Sequence, residues 1–326
     1  MILLFSIFGI TCNILQILRH RKFQFYFNVI LTVGLLLFVF SYFSDNSFLV
    51  SDLIVDFKRF TFFQNVTLIF FLLSTTVVNF SLETLRWQQL CSPIKKITFF
   101  DSLRSVFKGV AFGNLLSQGL GDYFGRVVSN QTSNRKMLSS AFLMGSIFQI
   151  AVSAFIGFIG VFSLSELFDF PVYFLQLIPV VIVLTSIVTI VFRTYIFSWL
   201  NRVLPSFSSF GLVFSEYTNN VLAKVFVLTI LRYAVFIIQT SFLVLFLGDY
   251  VALYDLICLI CVSFLVRTVI PRFNLIIDFG IRQYSLVYFL GYLNVESSLV
   301  VFIGVLIWFF NVLLPSVSGV FLLWKK

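Results

Sequence analysis

The sequence predicts an all-α polytopic membrane protein with about 7–9 transmembrane helices. Of its 326 residues, 60% are apolar and 11% are charged, whereas a soluble domain is on average about 45–50% apolar and about 25% charged. The apolar residues occur in runs of about 17–25, the length of a helix that crosses a bilayer. Such runs differ from the short alternating stretches of an outer-membrane barrel, so helices are expected to make the crossings.

The chain begins with an apolar stretch over residues 1–18 that ends before Arg19. It lacks the basic start of a secretory signal, so it is either an extra helix or a misplaced start. We therefore separate an N-terminal apolar segment, residues 1–23, from a single transmembrane domain over residues 24–326.

The apolar runs and the charges between them predict an order of crossings. Lys and Arg collect in short cytoplasmic loops, so the cytoplasmic side is assigned to the basic stretches 19–22, 83–108, 134–136, 193–202, 267–272 and 325–326. Full-length crossings are predicted at 24–43, 61–82, 137–163, 172–192, 221–247, 251–268 and 298–324.

Two further apolar segments contain residues that interrupt helices. Residues 105–132 contain several glycines, and residues 272–293 follow Pro271 and contain Gly280. Within a membrane, irregular backbone is tolerated only inside protein or beside water. We predict that both segments are broken or re-entrant helices, the first returning to the cytoplasm and the second crossing outward.

Each of these segments carries an acid four residues before an arginine: Asp122 precedes Arg126, and Asp278 precedes Arg282. This spacing and order favour an ion pair on a helix. Asn114 and Gln118 precede Asp122 at the same step of four, so these side chains would share one polar stripe if the stretch were a single helix.

Charges near the bilayer centre cost about 2.5–3.5 kcal/mol each and usually serve a function. Two broken segments in corresponding halves of a chain are typical of an inverted-repeat transporter with its site near the midplane. The alternative is that each pair only fixes a helix end at the lipid headgroups. The predicted substrate-binding residues are Asn114, Gln118, Asp122, Arg126, Arg232, Asp278 and Arg282.

Arg232 joins this set because it lies near the middle of the predicted crossing at 221–247. It either pairs with Asp122 or Asp278, or extends to the headgroups. Lys224 and Arg267 lie near helix ends and are expected to reach the headgroups.

The four tryptophans are assigned to anchoring and packing. We expect Trp87, Trp199 and Trp324 in the interfacial belt, and a kink in the last helix where Trp308 and Asn311 precede Pro315.

Several other classes of function are disfavoured. The net charge of +9 comes from Lys and Arg at the ends of apolar runs, which indicates topology rather than nucleic-acid binding. His20 is the only histidine, so a histidine-based metal site or catalytic couple is not expected. Cys258 and Cys261 lie in a continuous apolar run and are expected to pack rather than to react. No cofactor or metal is predicted.

Several short motifs, in the same order, resemble the transmembrane-region family of lysylphosphatidylglycerol synthases, flippase-like bacterial membrane proteins. The resemblance runs from about residue 24 to the C-terminus and rests on Gly113-Asn114, Gly121 through Arg126, Leu231-Arg232-Tyr233 with Gln239, Asp278 through Arg282, and Trp308 through Asn311 with Pro315. Where the family usually has a proline and Glu, this chain has Ser117-Gln118 and Asp122.

The resemblance implies a multi-pass protein of the bacterial inner membrane that moves a phospholipid or lipid-linked headgroup across the bilayer. The soluble aminoacyltransferase domain of the larger synthases has no counterpart before Lys326, so a non-enzyme is expected. Two alternatives stay open: a small-solute or ion-coupled transporter, and a membrane scaffold that recruits a lipid-modifying enzyme through its basic loop.

Overall fold

The computed structural model describes residues 61–115, 118–128, 135–164, 216–248, 250–270 and 275–324, with separate positions between 177 and 195. The predictions for the N-terminal segment, for the crossing at 24–43 and for most of the crossing at 172–192 lie outside the described residues.

The regular structure of the described part is helical. The helices are α1 Phe62–Cys91, α2 Phe99–Leu115, α3 Gln118–Tyr123, α4 Arg135–Ser163, α5 Asn219–Leu247, α6 Leu253–Val269, α7 Leu275–Gly291, α8 Ser297–Trp308 and α9 Leu314–Trp324. Two π-helical segments interrupt this pattern, Phe124–Val128 after α3 and Phe309–Leu313 between α8 and α9.

Four helical stretches of the described chain have the length and apolarity of membrane spans: Phe62–Cys91, Met137–Ser163, Asn219–Leu247 and Ser297–Leu322. Large apolar side chains on them, such as Phe70, Phe162 and Val227, are exposed. Exposed apolar surface of this kind suits contact with lipid. The helical, membrane-embedded character is therefore supported, and further crossings and a repeat remain predictions.

Helix α1 is longer than the sequence pattern indicates. It begins at a capping box in which Thr61 and Gln64 bond to each other's backbone N–H, an arrangement that satisfies two free donors of the first turn. The next helix-breaking residue is Pro93, and α1 continues to Cys91. The helix therefore extends beyond residue 82, the predicted end of the crossing, and Glu83 lies inside it.

The core has two apolar layers, and α1, α4 and α5 pass through both. Layer A contains Leu72 of α1, Val161 of α4, Leu243 of α5 and buried residues of α6, α7 and α8. Layer B contains Trp87 of α1, Met144 of α4, Val225 of α5 and buried residues of α2. The chain order of these residues shows that α1 runs from layer A to layer B, and that α4 and α5 run back.

Tyr217, immediately before α5, fixes the layer B ends of α1 and α5 to each other. Its hydroxyl donates a hydrogen bond of 2.6 Å to the carbonyl oxygen of Leu90. Burial raises the pKa of the Tyr217 hydroxyl, so the group stays protonated and continues to donate.

Helix α2 and the α3 segment form an antiparallel hairpin that reaches inward from layer B. A Cβ atom on Gly121 would overlap the backbone of Phe112 and Gly113, and one on Gly125 would overlap the backbone of Lys108 and Gly109. Glycine permits this close approach because it has no side chain. The predicted interruption of residues 105–132 is confirmed, since α2 ends at Leu115 and α3 begins at Gln118.

Helices α6 and α7 form a second antiparallel hairpin, which reaches inward from layer A. Ser153, close to the midpoint of α4, contacts Thr268 near the end of α6, so α6 ends about halfway along α4. Helix α7 then returns to layer A through Leu286 and Leu290. The crossings predicted at 251–268 and 272–293 stay predictions for the segments that form this hairpin. Gly280, a predicted point of interruption, lies inside a continuous helix.

Cys258 and Cys261 lie where α6 packs closely against α4. Gly160 of α4 lies against Cys258 and Cys261 of α6. Both cysteines are buried and free of disulfide bonds. The prediction that they serve packing is confirmed.

The last helical stretch, from α8 to α9, is interrupted where the sequence predicts a kink. Pro315 has no backbone N–H to donate to the carbonyl of residue 311, and the preceding residues Phe309–Leu313 are π-helical. Asn311 lies in this segment and is buried. Beyond it, α9 packs against α2, with Gly319 next to Phe107.

Candidate functional site

A polar cavity lies between the two hairpins, where layers A and B meet. Its volume is about 160 Å³, far more than a single water molecule needs. The charged residues that line it are Glu83, Asp122, Arg126, Arg232, Arg267 and Arg282. Uncharged polar residues, among them Asn79, Gln149 and Asn311, complete the wall.

Glu83 of α1 is the centre of the first group of charges. One carboxylate oxygen accepts hydrogen bonds from Arg86 at 2.9 Å and from Arg126 at 2.5 Å. The other accepts from Arg86 at 2.8 Å and also from Arg232. Glu83 is 2% exposed, so this carboxylate is neutralised by guanidinium groups rather than by water.

Arg126 connects this group to the α2–α3 hairpin. Its Nε donates to Asp122 at 2.5 Å, and its guanidinium lies 5.4 Å from the ring centre of Trp87, a cation–π distance. Arg126 belongs to the π-helical segment Phe124–Val128. A π-helical turn changes the direction of the side chains that follow α3, and such turns are frequent at functional sites.

Arg232 brings α5 into the same group. It lies next to the midpoint of this 29-residue helix, with about 20 Å of helix on either side. Its Nε donates to Asn79 at 3.2 Å, and its terminal nitrogen Nη1 donates to Glu83. Arg232 therefore pairs with Glu83 rather than with Asp122 or Asp278, and it does not extend to a helix end.

Asp278 of α7 is the centre of a second group of charges. One carboxylate oxygen accepts a hydrogen bond of 3.3 Å from Arg267, and the other accepts one of 3.1 Å from Arg282. The side chains of Asp278 and Arg282 are each 6% exposed. Arg267 lines the cavity and pairs with Asp278, so the prediction that it reaches the headgroups was wrong.

Amide side chains link the helices beside the cavity. Asn311 of the second π-helical segment donates to Gln239 of α5 at 2.8 Å. Gln239 in turn donates to Thr75 of α1 at 2.9 Å. This chain of hydrogen bonds holds α1, α5 and the π-helical segment Phe309–Leu313 together beside the cavity.

The structure brings most of the predicted site residues together. Both predicted ion pairs, Asp122 with Arg126 and Asp278 with Arg282, are present, and Arg232 shares the cavity with both arginines. Asp278 supports the cavity by holding Arg267 and Arg282.

The predicted polar stripe was wrong, because Asn114 and Gln118 belong to two different helices of an antiparallel hairpin. Their side chains lie outside the described part of the structure.

Sequence reasoning missed Glu83 and Arg86, and it assigned Trp87 to the membrane surface. A hydropathy window ends a crossing where charges begin, so the predicted crossing stopped before Glu83. Two signals nevertheless indicate that the helix continues: Glu83 precedes Arg86 at helical spacing, and the first proline comes only at Pro93. Those two signals together could have extended the helix. Trp87 is in fact 1% exposed and lies beneath Arg126.

The described charges of the cavity do not balance. Four arginines and two carboxylates line it, and the ion-pair partners Arg86 and Asp278 add one charge of each sign. The described group therefore has two more positive than negative charges. Guanidinium groups match the oxygens of phosphates and carboxylates, so this arginine-rich lining is suited to an anionic ligand.

Comparison with known protein families finds no family that the chain matches, and comparison with curated proteins finds no similar sequence.

Proposed function

We propose that this protein moves a lipid, or a lipid-linked polar headgroup, across the bacterial inner membrane. The observation that carries the proposal is a cavity that is lined by four arginines and lies at the middle of helices long enough to span a bilayer. Ionisable groups at such a depth typically mark the path of a substrate.

The arginines would bind the phosphate of the headgroup, while the acyl chains stay in the lipid. Guanidinium groups match the oxygens of a phosphate with paired hydrogen bonds. Glu83 and Asp278 hold the same groups in place through hydrogen bonds. A bound phosphate would take over part of this role.

The two hairpins support a transport mechanism. One reaches the cavity from layer B and the other from layer A, and each delivers an acid–arginine pair. In secondary transporters, discontinuous helices in two halves of the chain meet at a central site. The motifs that resemble the transmembrane region of lysylphosphatidylglycerol synthases are consistent with this proposal.

Transport can be tested in liposomes that contain the purified protein and a fluorescent phospholipid. We expect Arg282→Ala to lower the rate of headgroup exchange at least about tenfold, because truncating one partner of a buried charge pair costs about 2–5 kcal/mol. Asp278→Asn should also slow exchange, since it removes the carboxylate that Arg267 and Arg282 share.

The matched controls are Arg104→Ala and Asp101→Asn. The two residues form an ion pair on α2, with 3.7 Å between a guanidinium nitrogen and a carboxylate oxygen, and both side chains are more than half exposed. The rate of lipid exchange should therefore be unchanged in both variants. If Arg282→Ala and Asp278→Asn exchange lipid at the wild-type rate, the proposed site is wrong. Uptake of a water-soluble compound without lipid exchange would instead favour the solute transporter.

A further inference from the structure

The charged side chains that line the cavity differ in how far they are exposed. The side chains of Asp122, Arg232 and Arg267 are 25%, 16% and 16% exposed. The other charged side chains of the described lining are exposed by 7% or less: Glu83, Arg126 and Arg282. A ligand in the cavity would therefore meet two guanidinium groups and one carboxylate before any other charged group.

Asp122 is the most accessible carboxylate of the described lining, and it keeps capacity for a further hydrogen bond. One of its oxygens accepts a hydrogen bond of 2.5 Å from Nε of Arg126. An ionised carboxylate has about four acceptor sites, so this bond does not exhaust it. Helix α2 leaves room for the carboxylate, because a Cβ atom on Gly109 would overlap Oδ1 of Asp122, and both residues line the cavity.

We propose that the cavity recognises a lipid headgroup that carries a hydroxyl beside its phosphate. Arg232 and Arg267 bind the phosphate, and Asp122 accepts a hydrogen bond from the hydroxyl. Hydrogen bonds between a hydroxyl and a carboxylate are among the strong ones, because the acceptor is charged. This inference rests on the proposed function and narrows its substrate class to polyol or sugar headgroups.

An amine on the headgroup is a poorer partner for Asp122 than a hydroxyl. Four arginines line the same cavity, and like charges at close range repel each other. An ammonium group that reached Asp122 would lie among these guanidinium groups. A hydroxyl is a neutral donor, so it can bind the carboxylate without this repulsion.

The test uses short-chain phosphatidyl esters whose headgroups differ only in the terminal group: a 2-hydroxyethyl, a propyl and a 2-aminoethyl ester. Purified protein is titrated with each ester, and binding is followed by thermal stabilisation. Wild type should bind the hydroxyethyl ester about tenfold more tightly than the propyl ester, since a hydrogen bond to a charged group contributes about 1.5–3 kcal/mol and a tenfold preference corresponds to about 1.4 kcal/mol.

Asp122→Ala should bind the hydroxyethyl and propyl esters equally, with the affinity of wild type for the propyl ester. A purely structural role of Asp122 would instead weaken the binding of both esters to the same extent. Asp122→Asn keeps the size of the side chain and serves if the alanine variant does not fold. A neutral acceptor forms a hydrogen bond about half as strong, so its preference should fall to about threefold.

Arg267→Gln tests the contact with the phosphate, which all the esters share. It should weaken the binding of the hydroxyethyl and propyl esters by a similar factor and leave the preference between them unchanged. The matched control for Asp122→Ala is Asp101→Ala, which removes an exposed acid on α2 and should change neither the affinities nor the preference.

Several outcomes would overturn the proposal. Equal binding of the hydroxyethyl and propyl esters by wild type would do so, and so would an undiminished preference in Asp122→Ala or equal weakening of both esters. Tighter binding of the aminoethyl ester would show that the site takes an amine. If 2-hydroxyethyl phosphate, which has no acyl chains, binds as tightly as the hydroxyethyl ester, the assignment to a lipid is wrong.

Failure of this inference can be told apart from failure of the proposed function. If the hydroxyethyl ester is preferred in binding but lipids do not exchange across the liposome membrane, the hydroxyl site stands and transport is wrong. If lipids exchange but the hydroxyethyl and propyl esters bind equally, transport stands and the hydroxyl site is wrong.

Discussion

The carboxylate of Glu83 forms ion pairs with three arginines that belong to three different helical elements. Arg86 lies on the same helix, Arg126 on the π-helical segment and Arg232 on α5. A carboxylate taken out of water is stabilised only when its partners are well placed. Four hydrogen bonds from guanidinium groups supply that stabilisation and fix where the arginines stand around the cavity.

Replacing Glu83 by glutamine should be strongly destabilising. The amide removes the negative charge that holds three buried guanidiniums, and breaking a buried charge pair costs about 3–5 kcal/mol. Thermal unfolding in detergent should therefore begin at a clearly lower temperature for Glu83→Gln than for wild type.

The matched control for Glu83→Gln is Asp101→Asn, which also removes an acid three residues before an arginine but at an exposed position. Its effect should stay below about 1 kcal/mol, as for other surface ion pairs. Equal melting temperatures for wild type and Glu83→Gln would contradict the central role given to this carboxylate.

Local spacing predicts some of these contacts and cannot predict others. Asp122 and Arg126 lie four residues apart, so the pattern alone indicates their pairing. Glu83 pairs with Arg126 and Arg232, which are 43 and 149 residues away in the chain. Such pairing depends on how the helices pack, and a single sequence contains no local signal of it.

At the level of elements, glycine determines how closely the two arms of the α2–α3 hairpin approach. Gly121 and Gly125 lie one turn apart and both face the backbone of α2. This close approach places Arg126, the residue after Gly125, beside Glu83. The geometry of the hairpin and the geometry of the site are therefore linked.

The glycines provide a test within one short segment. Gly121→Ala should destabilise the protein by about 1–3 kcal/mol, the usual cost of overpacking, because its new methyl group meets backbone atoms of Phe112 and Gly113. The rate of lipid exchange should fall as well, since the two arms of the hairpin would move apart and displace Arg126.

Gly119→Ala is the control, because a Cβ at this position meets no atom of the described chain within 4 Å. It should be neutral or stabilise helix α3 by up to about 1 kcal/mol. The measurement compares the melting temperatures and lipid-exchange rates of Gly119→Ala and Gly121→Ala. If Gly119→Ala proves as harmful as Gly121→Ala, close packing of the hairpin is not the reason for these glycines.

Helices α6 and α7 show where sequence patterns are ambiguous. An apolar run of 17 residues is long enough to suggest a crossing, and α6 has this length. Whether such a helix crosses or turns back depends on what its far end meets. Here Thr268 meets Ser153 of α4, and Arg267 meets Asp278 of α7, so polar contacts stabilise the end of α6 inside the protein.

At the scale of the whole described structure, composition and helix length predicted the class of fold, and charge placement predicted part of the site. Apolar runs are a direct consequence of bilayer thickness, so the long helices α4 and α5 could be predicted closely. The meeting of the two hairpins at one cavity depends on tertiary packing. Tertiary packing also places Glu83 and Arg267 in the lining of the cavity.

The two hairpins meet at one polar cavity, and we propose that its arginines bind an anionic lipid headgroup. The most direct measurement is an experimental structure of the protein in lipid nanodiscs that contain phosphatidate. We expect phosphate density within about 2.7–2.9 Å of guanidinium nitrogens from both groups of charges, with Arg232 and Arg282 on opposite sides of it. A structure in which these two arginines face separate membrane surfaces, with no shared cavity between them, would contradict it.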